Sequence, residues 1–488
     1  MGKLNYYAEQ SQQLINRLRV ENTWWSTSCV AEDIRQMTHR LYLDSFYSQV
    51  SDLSLRRAVI LMGPRRVGKT VLIFHTIERL IENHVSPQKI LYVSIENPIY
   101  THVSLDRLFD LAREAVGKKE ESAGFYVFFD EIQSLKEWEL HLKSLVDTYR
   151  QCKFIASGSA AAALKTKSEE SGAGRFTDFL LPPLTFCEYI HLKKLEALIQ
   201  PAECPWGDRH IACHTTFDPL TLNAHFLNYM NYGGYPEVIF SERIQADPGR
   251  YIRNDIVDKV LLRDLPSLYG ITDVQELNAF FAFLVYHSGY ELSYENLSEG
   301  SGVRKEAIKQ YLTYLEAAFL IRIIHRIDLS AKRFQRVTRF KVYLTNPALY
   351  CALFQPLKVD DDVFGSMVET TVLTQFFPYE RAPLGYANWK MGRSQGEVDI
   401  VAIDPQKLSP LWATEIKWSD RFVDHPGELQ SLLHFMEVNA LPEAIVTTLS
   451  KTQQCTLQRV KLHFIPTAVY AYTIGWNSLH GTDSCVGL

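Results

Sequence analysis

From Arg57 the chain reads "RAVILMGPRRVGKTVLIFHTIERLIEN": an apolar run, a glycine-bounded loop, then apolar residues recurring every three or four positions. The run predicts a strand buried on both faces, and the recurrence predicts an amphipathic helix. "KILYVSIEN" repeats the strand signal, and a helical stretch follows it. A third run, "GFYVFFDEIQ", ends on Asp130-Glu131, and "CKFIASGS" makes a fourth. Strands alternating with helices predict a parallel sheet in an α/β domain, with the acids emerging at the carboxyl edge where such sheets bind ligands.

The pattern then changes. Residues 193–222 lose periodicity and carry Pro, Gly and Asp, which predicts an irregular connector, and helical segments run on to about residue 290. In "LSYENLSEGSGVRKEAIKQYLTYLEAAFLI" Ser293 is placed to cap a short helix and Ser301-Gly302 to make a turn. Ile308, Leu312, Leu315 and Phe319 form one apolar face of the next helix, and alternating strands follow. "FGSMVETTVLTQFF" returns to helical spacing: Val372, Leu373 and Phe376 bracket Glu369, with Thr370, Thr371, Thr374 and Gln375 on the other side. "EVDIVAID" and "LWATEIKW" read as strands, "ELQSLLHF" as a helix and "EAIVTTLS" as a further strand.

The expected class is therefore a multidomain α/β protein. Residues 1–40 form a helical extension, 41–190 the first α/β core, 191–290 a helical lid or connector, 291–350 a winged-helix element, and 360–488 a second α/β domain.

Composition narrows this little. The 488 residues are 46% hydrophobic and 22% charged, ordinary for a globular chain of about three domains. A formal charge of −5 supplies no global field for nucleic acid or anionic lipid, so any such binding is local. Eight scattered cysteines suggest reduced thiols in a cytoplasm. Cys204, His210, Cys213 and His214 invite a zinc reading, but their spacing fits no paired-ligand pattern. The polar opening "MGKLNYYAEQ" lacks a signal peptide's apolar run, and no window is long enough for a membrane span.

Chemistry enters at the glycine-bounded loop. Gly63 and Gly68 bracket Pro64, Arg65, Arg66 and Val67 and precede Lys69, Thr70 and Val71, the P-loop spacing. Successive backbone N–H groups and the helix N-terminus suit phosphate. ATP is the expected ligand. Lys69 would meet its β- and γ-phosphates, Thr70 and Asp130 would hold Mg²⁺, and Glu131 would orient or deprotonate the attacking water. One strand lies between the two motifs, and a glutamate follows the aspartate directly, which points to hydrolysis. Ser159, after Ser157 and Gly158, is placed to sense the γ-phosphate. Arg175 in "GAGRF" is a candidate arginine finger in cis or on a neighbour, and equally reads as a surface residue.

Two further clusters stand out. Lys332, Arg333, Arg336, Arg339 and Lys341 fall within ten positions without an acid, a local footprint for nucleic acid, with DNA favoured. Glu415 and Lys417 lie two apart on one strand face. A pairing register that brings Asp399 beside them, with Glu369 from the packed helix, would make an oxygen cage for Mg²⁺ or Mn²⁺. Lys417 would then position water or stabilise phosphate charge. The wet face of a hairpin is the plain alternative.

"GPRRVGKT", "FFDEIQ", "GSAAAAL", "GAGRF", "LPPLTFCEY", "NYGGYPEV", "IVDKVLLRDLPSLYGI", "YLTYLEAAFLI" and "KVYLTNPAL" together resemble a prokaryotic family. Its members are AAA-type P-loop ATPases fused to a C-terminal restriction-endonuclease-like domain with the PD-(D/E)xK signature. The resemblance implies an ATPase core, a helical segment, a winged helix and a nuclease-like end. The expected function is ATP hydrolysis gating a metal-dependent endonuclease. The alternative is an ATP-dependent switch that binds DNA or protein, its C-terminal fold serving for docking. A homo-oligomer and an unknown protein trigger are compatible with both.

Overall fold

A computed structural model describes residues 2–158, 174–206, 209–330, 339–377, 383–391 and 394–480. The chain divides into two compact units, Met1–Leu181 and Pro182–Leu488.

In the first unit β1 (Ala58–Met62), β2 (Ile90–Ser94), β3 (Tyr126–Asp130), β4 (Lys153–Gly158) and β5 (Phe176–Leu180) form one parallel sheet in the order β2-β3-β4-β1-β5. Every residue of β1 is buried, as its unbroken apolar run requires. Parallel pairing puts the loop after β1 and the acids after β3 at the same carboxyl edge, with β4 between them.

Residues 2–25, whose Trp24-Trp25 pair carries no motif, seal the β2 edge of this sheet. The helix Gly2–Glu21 buries Leu14, Ile15 and Leu18 in the unit's core. Asn22 then exchanges two hydrogen bonds with the Tyr92 backbone (2.8 and 2.6 Å), and both indole N–H groups donate to the Ile90 carbonyl (3.0 and 2.8 Å). Side chains thus supply partners that an edge strand would otherwise offer to another chain.

The second unit is built on β8 (Glu291–Ser293), β9 (Ile321–Ile327), β10 (Arg339–Leu344), β11 (Leu384–Met391), β12 (Ser394–Ile403), β13 (Pro410–Glu415), β14 (Glu443–Thr448), β15 (Gln453–Leu457) and β16 (Val460–Pro466). They join in one mixed sheet, β15-β16-β14-β13-β12-β11-β9-β10-β8. Ser293 caps the helix Tyr294–Ser301 by accepting from Asn296 N (3.1 Å), and the helix Lys305–Ala317 buries Ile308, Leu312 and Leu315. Phe319 does not extend that face: it lies beyond the helix at φ +56°. β9 pairs in parallel with β11, Gly385 opposite His325, so one sheet runs through the expected boundary between 350 and 360.

The irregular connector expected at 193–222 is in part a hairpin, β6 (Gln200–Trp206) with β7 (Arg209–Thr215). Pro201 and Pro205 hide the strand signal. They are tolerated because a two-stranded ribbon consists of edges only. Among the described residues no helix is long and apolar enough to cross a membrane.

Candidate functional site

The loop after β1 is shaped by close backbone approach. A Cβ on Gly63 would lie 2.1 Å from the Leu181 carbonyl oxygen, and Gly68 takes φ +92°. Pro64, Arg65, Arg66 and Val67 form the turn, with Arg66 at φ +63°, and Lys69, Thr70 and Val71 open the helix Lys69–Glu82. Lys69 is buried and curls back over the loop, its Nζ donating to the carbonyls of Gly63 (3.0 Å) and Pro64 (2.8 Å). Buried Arg40 donates to the Val67 carbonyl, a brace from outside the motif that no local spacing reveals.

Asp130 is the hub of this edge. Oδ2 accepts from Thr70 Oγ1 (2.8 Å) and Tyr92 OH (2.9 Å), and Oδ1 accepts from Ser157 Oγ and from Glu131 N (3.2 Å). Burial, then the Asp130 charge, drives the Tyr92 phenol far above its ordinary range, so it stays a donor. Thr70 and Asp130 are therefore joined as a hydroxyl–carboxylate pair would be around Mg²⁺. Glu131 follows at φ +53°, a strained left-handed position for a side chain with a Cβ, and accepts from Gln133 Nε2 (2.5 Å). Ser157, not Ser159, is the hydroxyl seen here, and Ser159 lies outside the described residues.

Arg175 is displaced from this chemistry. It precedes β5, which pairs Phe176 with Ala58, so it stands at the amino edge of the sheet, opposite the phosphate loop. Its Nε donates to Asp147 (2.6 Å). A finger acting in cis on this loop is thereby corrected: parallel pairing puts the length of β1 between the two.

The second cluster forms where β13 ends beside the middle of β12 and the helix Phe364–Thr374. Ile400 lies opposite Thr414, and one step further along that antiparallel register Asp399 comes level with Glu415. Lys417 Nζ sits between these carboxylates, 2.7 Å from Glu415 Oε1 and 3.7 Å from Asp399 Oδ2, while Ile416 N donates to Asp399 Oδ2 (2.7 Å). Glu369 is held by Lys341 Nζ (2.9 Å) and by Tyr343 OH (2.5 Å) from β10. Its helix is buried nearly all round: Thr370, Thr371, Thr374 and Gln375 are buried as well, against the two-sided pattern of the sequence.

Burial and mutual repulsion load this cluster. Glu415 is pushed up to about 8, by burial first and then by the Asp399 charge, against the attraction of Lys417. Burial likewise raises Glu369 to about 7, with Lys341 opposing and Asp399 adding. Glu415 Oε2 is buried without a hydrogen-bond partner. Oxygen donors of this kind suit a hard divalent cation. Among the described residues, however, no three ligating side chains gather at one point. In this structure the charge between Asp399 and Glu415 is the Lys417 ammonium.

A folded-state value above the usual 4.5 means the folded state binds its proton more tightly. In EDTA the protein is expected to lose stability as pH rises from about 4.5 to 8, by up to about 1.4 kcal/mol per pH unit for each group. Glu415→Gln is expected to flatten this fall, read as Tm against pH.

Of the basic cluster, only Lys341 and Arg339 lie among the described residues, and Lys341 is not at the surface. Lys341 is 3% exposed and bridges Glu369 and Glu397 (2.7 Å). It belongs to the acid cluster and not to a nucleic-acid face, because strand alternation turns it inward. Arg339 pairs with Glu291 (2.7 Å), and Lys332, Arg333 and Arg336 lie outside the described residues. Tyr343 has no signal in the sequence, and Lys341, expected in the basic cluster, is instead a partner of Glu369.

Residues 55–190 match the family model for an AAA domain, and residues 223–362 match a domain of unknown function. An uncharacterized protein of Methanocaldococcus jannaschii is 23% identical over 56% of this chain, which spans only 57% of that relative. An uncharacterized Haemophilus influenzae protein is 24% identical over 59% of this chain and 67% of its own length. Among solved structures, the Walker-type ATPase of Pyrococcus abyssi aligns over 63% of this chain and 94% of its own (17% identity, TM-score 0.35). AMPPCP-bound DnaA from Aquifex aeolicus aligns over 56% and 85% (10%, TM-score 0.27). Scores this low establish no shared architecture for the whole chain. The domain match, laid on the phosphate loop, the Thr70–Asp130 pair and the parallel sheet, makes residues 55–190 an AAA-type P-loop ATPase domain.

Proposed function

We propose that the chain hydrolyses ATP with Mg²⁺ in its first unit and uses that cycle to control a divalent-metal phosphodiesterase site in its second, acting on nucleic acid, DNA first. Lys69 would leave the Gly63 and Pro64 carbonyls for the phosphates, Thr70 would turn its hydroxyl to the metal, and Glu131 would take the proton of the attacking water. In the second unit Asp399, Glu415 and the Ile416 carbonyl would hold the cation, with Glu369 as a further carboxylate. The metal would supply an activated water and neutralise charge on the phosphorus. Lys417 would then move from the carboxylates to the phosphate.

The observation that carries the nuclease half is the buried Glu415 Oε2, without a hydrogen-bond partner and beside Asp399, an acid that a bound cation would hold ionised. One observation favours the switch reading, with the C-terminal fold serving for docking: Lys341 and Lys417 already neutralise the acids.

The test is a cleavage assay on plasmid, linear and single-stranded DNA, and on RNA, with Mg²⁺ or Mn²⁺ and with or without ATP. Cutting is expected to vanish in Glu415→Ala and to change with ATP in the wild type but not in Lys69→Ala. ATP turnover with no cleavage under any condition would leave the switch.

A further inference from the structure

The β6–β7 hairpin holds a pair of thiols that neither unit's proposed chemistry uses. Cys204 lies opposite Ile211 and Ala202 opposite Cys213, so the two cysteines are diagonal neighbours on one face of the ribbon. Their sulfurs approach to 2.7 Å, the Cys213 thiol donating to Cys204, and both are free thiols. Cys213 is buried at 4% exposure, and Cys204 is partly open.

Zinc is the obvious other claimant, and the ribbon argues against it. Consecutive strand residues point to opposite faces. His214 accordingly turns away from Cys213, its Nδ1 3.1 Å from Thr473 Oγ1 and its ring packed on Tyr472 and Trp476. Among the described residues no third ligand joins the two sulfurs. The hairpin is also anchored, with Trp206 stacked on His463 at 5.0 Å, which limits how far the strands can part.

We propose that Cys204 and Cys213 are a redox site that forms a reversible disulfide across the hairpin, with a small-molecule disulfide such as oxidised glutathione as the oxidant. Cys204 is the attacking sulfur: it is the open one, and the Cys213 hydrogen bond pulls its thiol below the ordinary range against burial, with Lys461 assisting. Its thiolate attacks one sulfur of the oxidant, breaking that S–S bond and releasing one small thiol. Cys213, as thiolate, then attacks the Cys204 sulfur and displaces the second small thiol. Two protein thiols become one disulfide, the oxidant takes up two electrons and two protons, and a reducing thiol reverses both steps.

The full-length protein, treated with oxidised glutathione, is unfolded in an alkylating reagent and weighed intact. The oxidised sample is expected to carry two fewer alkyl groups than the reduced one. Digestion is expected to yield one peptide pair joined through Cys204 and Cys213 that dithiothreitol separates. Cys213→Ser should stop at a mixed disulfide on Cys204, and Cys204→Ser should leave Cys213 unmodified; Cys213→Ala repeats the first test should the serine disturb the hairpin. Full alkylation of all cysteines after oxidation, a bond joining other cysteines, or loss of two thiols in Cys204→Ser would overturn the proposal.

Discussion

Glu131→Gln is expected to lower ATP turnover by roughly 10²–10⁴-fold while leaving ATP affinity within a few-fold of wild type. Asp130 and Glu131 are adjacent but do different work. Asp130 is saturated by Thr70, Tyr92, Ser157 and the Glu131 amide, so it is committed to organising the edge where Mg²⁺ would sit. Glu131 emerges beyond it on a left-handed backbone, which turns its carboxylate away from that network and onto Gln133. A strained residue beside a phosphate loop is what a positioned base would cost the fold. Lys69→Ala makes the contrast: it should weaken ATP binding as well as turnover, each on the order of 100-fold. Phosphate release gives the rates and calorimetry with ATP analogues the affinities. Wild-type turnover in Glu131→Gln would remove Glu131 from the mechanism.

Lys341→Met is expected to destabilise the second unit by about 3–5 kcal/mol at pH 8, the cost of removing one member of a buried ion pair. At that pH Glu369, raised to about 7, is largely ionised and leans on Lys341. Near pH 5 Glu369 is protonated in the folded state, so the same substitution is expected to cost markedly less. Adding Glu369→Gln should recover most of the loss at pH 8, since the carboxylate then left without Lys341 is Glu397, which is half open to solvent. Denaturant unfolding of the single and double variants at both pH values measures this. A Lys341→Met protein as stable as wild type at pH 8 would mean that Glu369 does not depend on the lysine for its charge.

Much of the first unit was legible because its signals are local. A six-residue loop bounded by glycines, a lysine and threonine opening a helix, and acids ending an apolar run are all fixed by neighbours in sequence, and each stands where its spacing puts it. The acid cluster was half legible. Two-residue spacing on β13 put Glu415 and Lys417 on one face, and an inward glutamate was visible on the helix. Their opposite numbers were not: Lys341 and Tyr343 come from a strand that looked like a basic wing. Arg175 misled for a related reason, since nearness to a glycine turn says nothing about which edge of the sheet the turn occupies.

The sequence by itself determined the P-loop, the acids that answer it and the alternation that builds a parallel sheet, because those depend on backbone chemistry within a few residues. Only the tertiary structure decided that residues 2–25 seal the edge of that sheet, that Lys341 neutralises Glu369, and that two cysteines meet across a ribbon hidden by its prolines. Those outcomes rest on strand pairing and burial. A side chain's period along its own strand names the face it occupies, but only packing names what lies opposite and whether water remains to screen a charge.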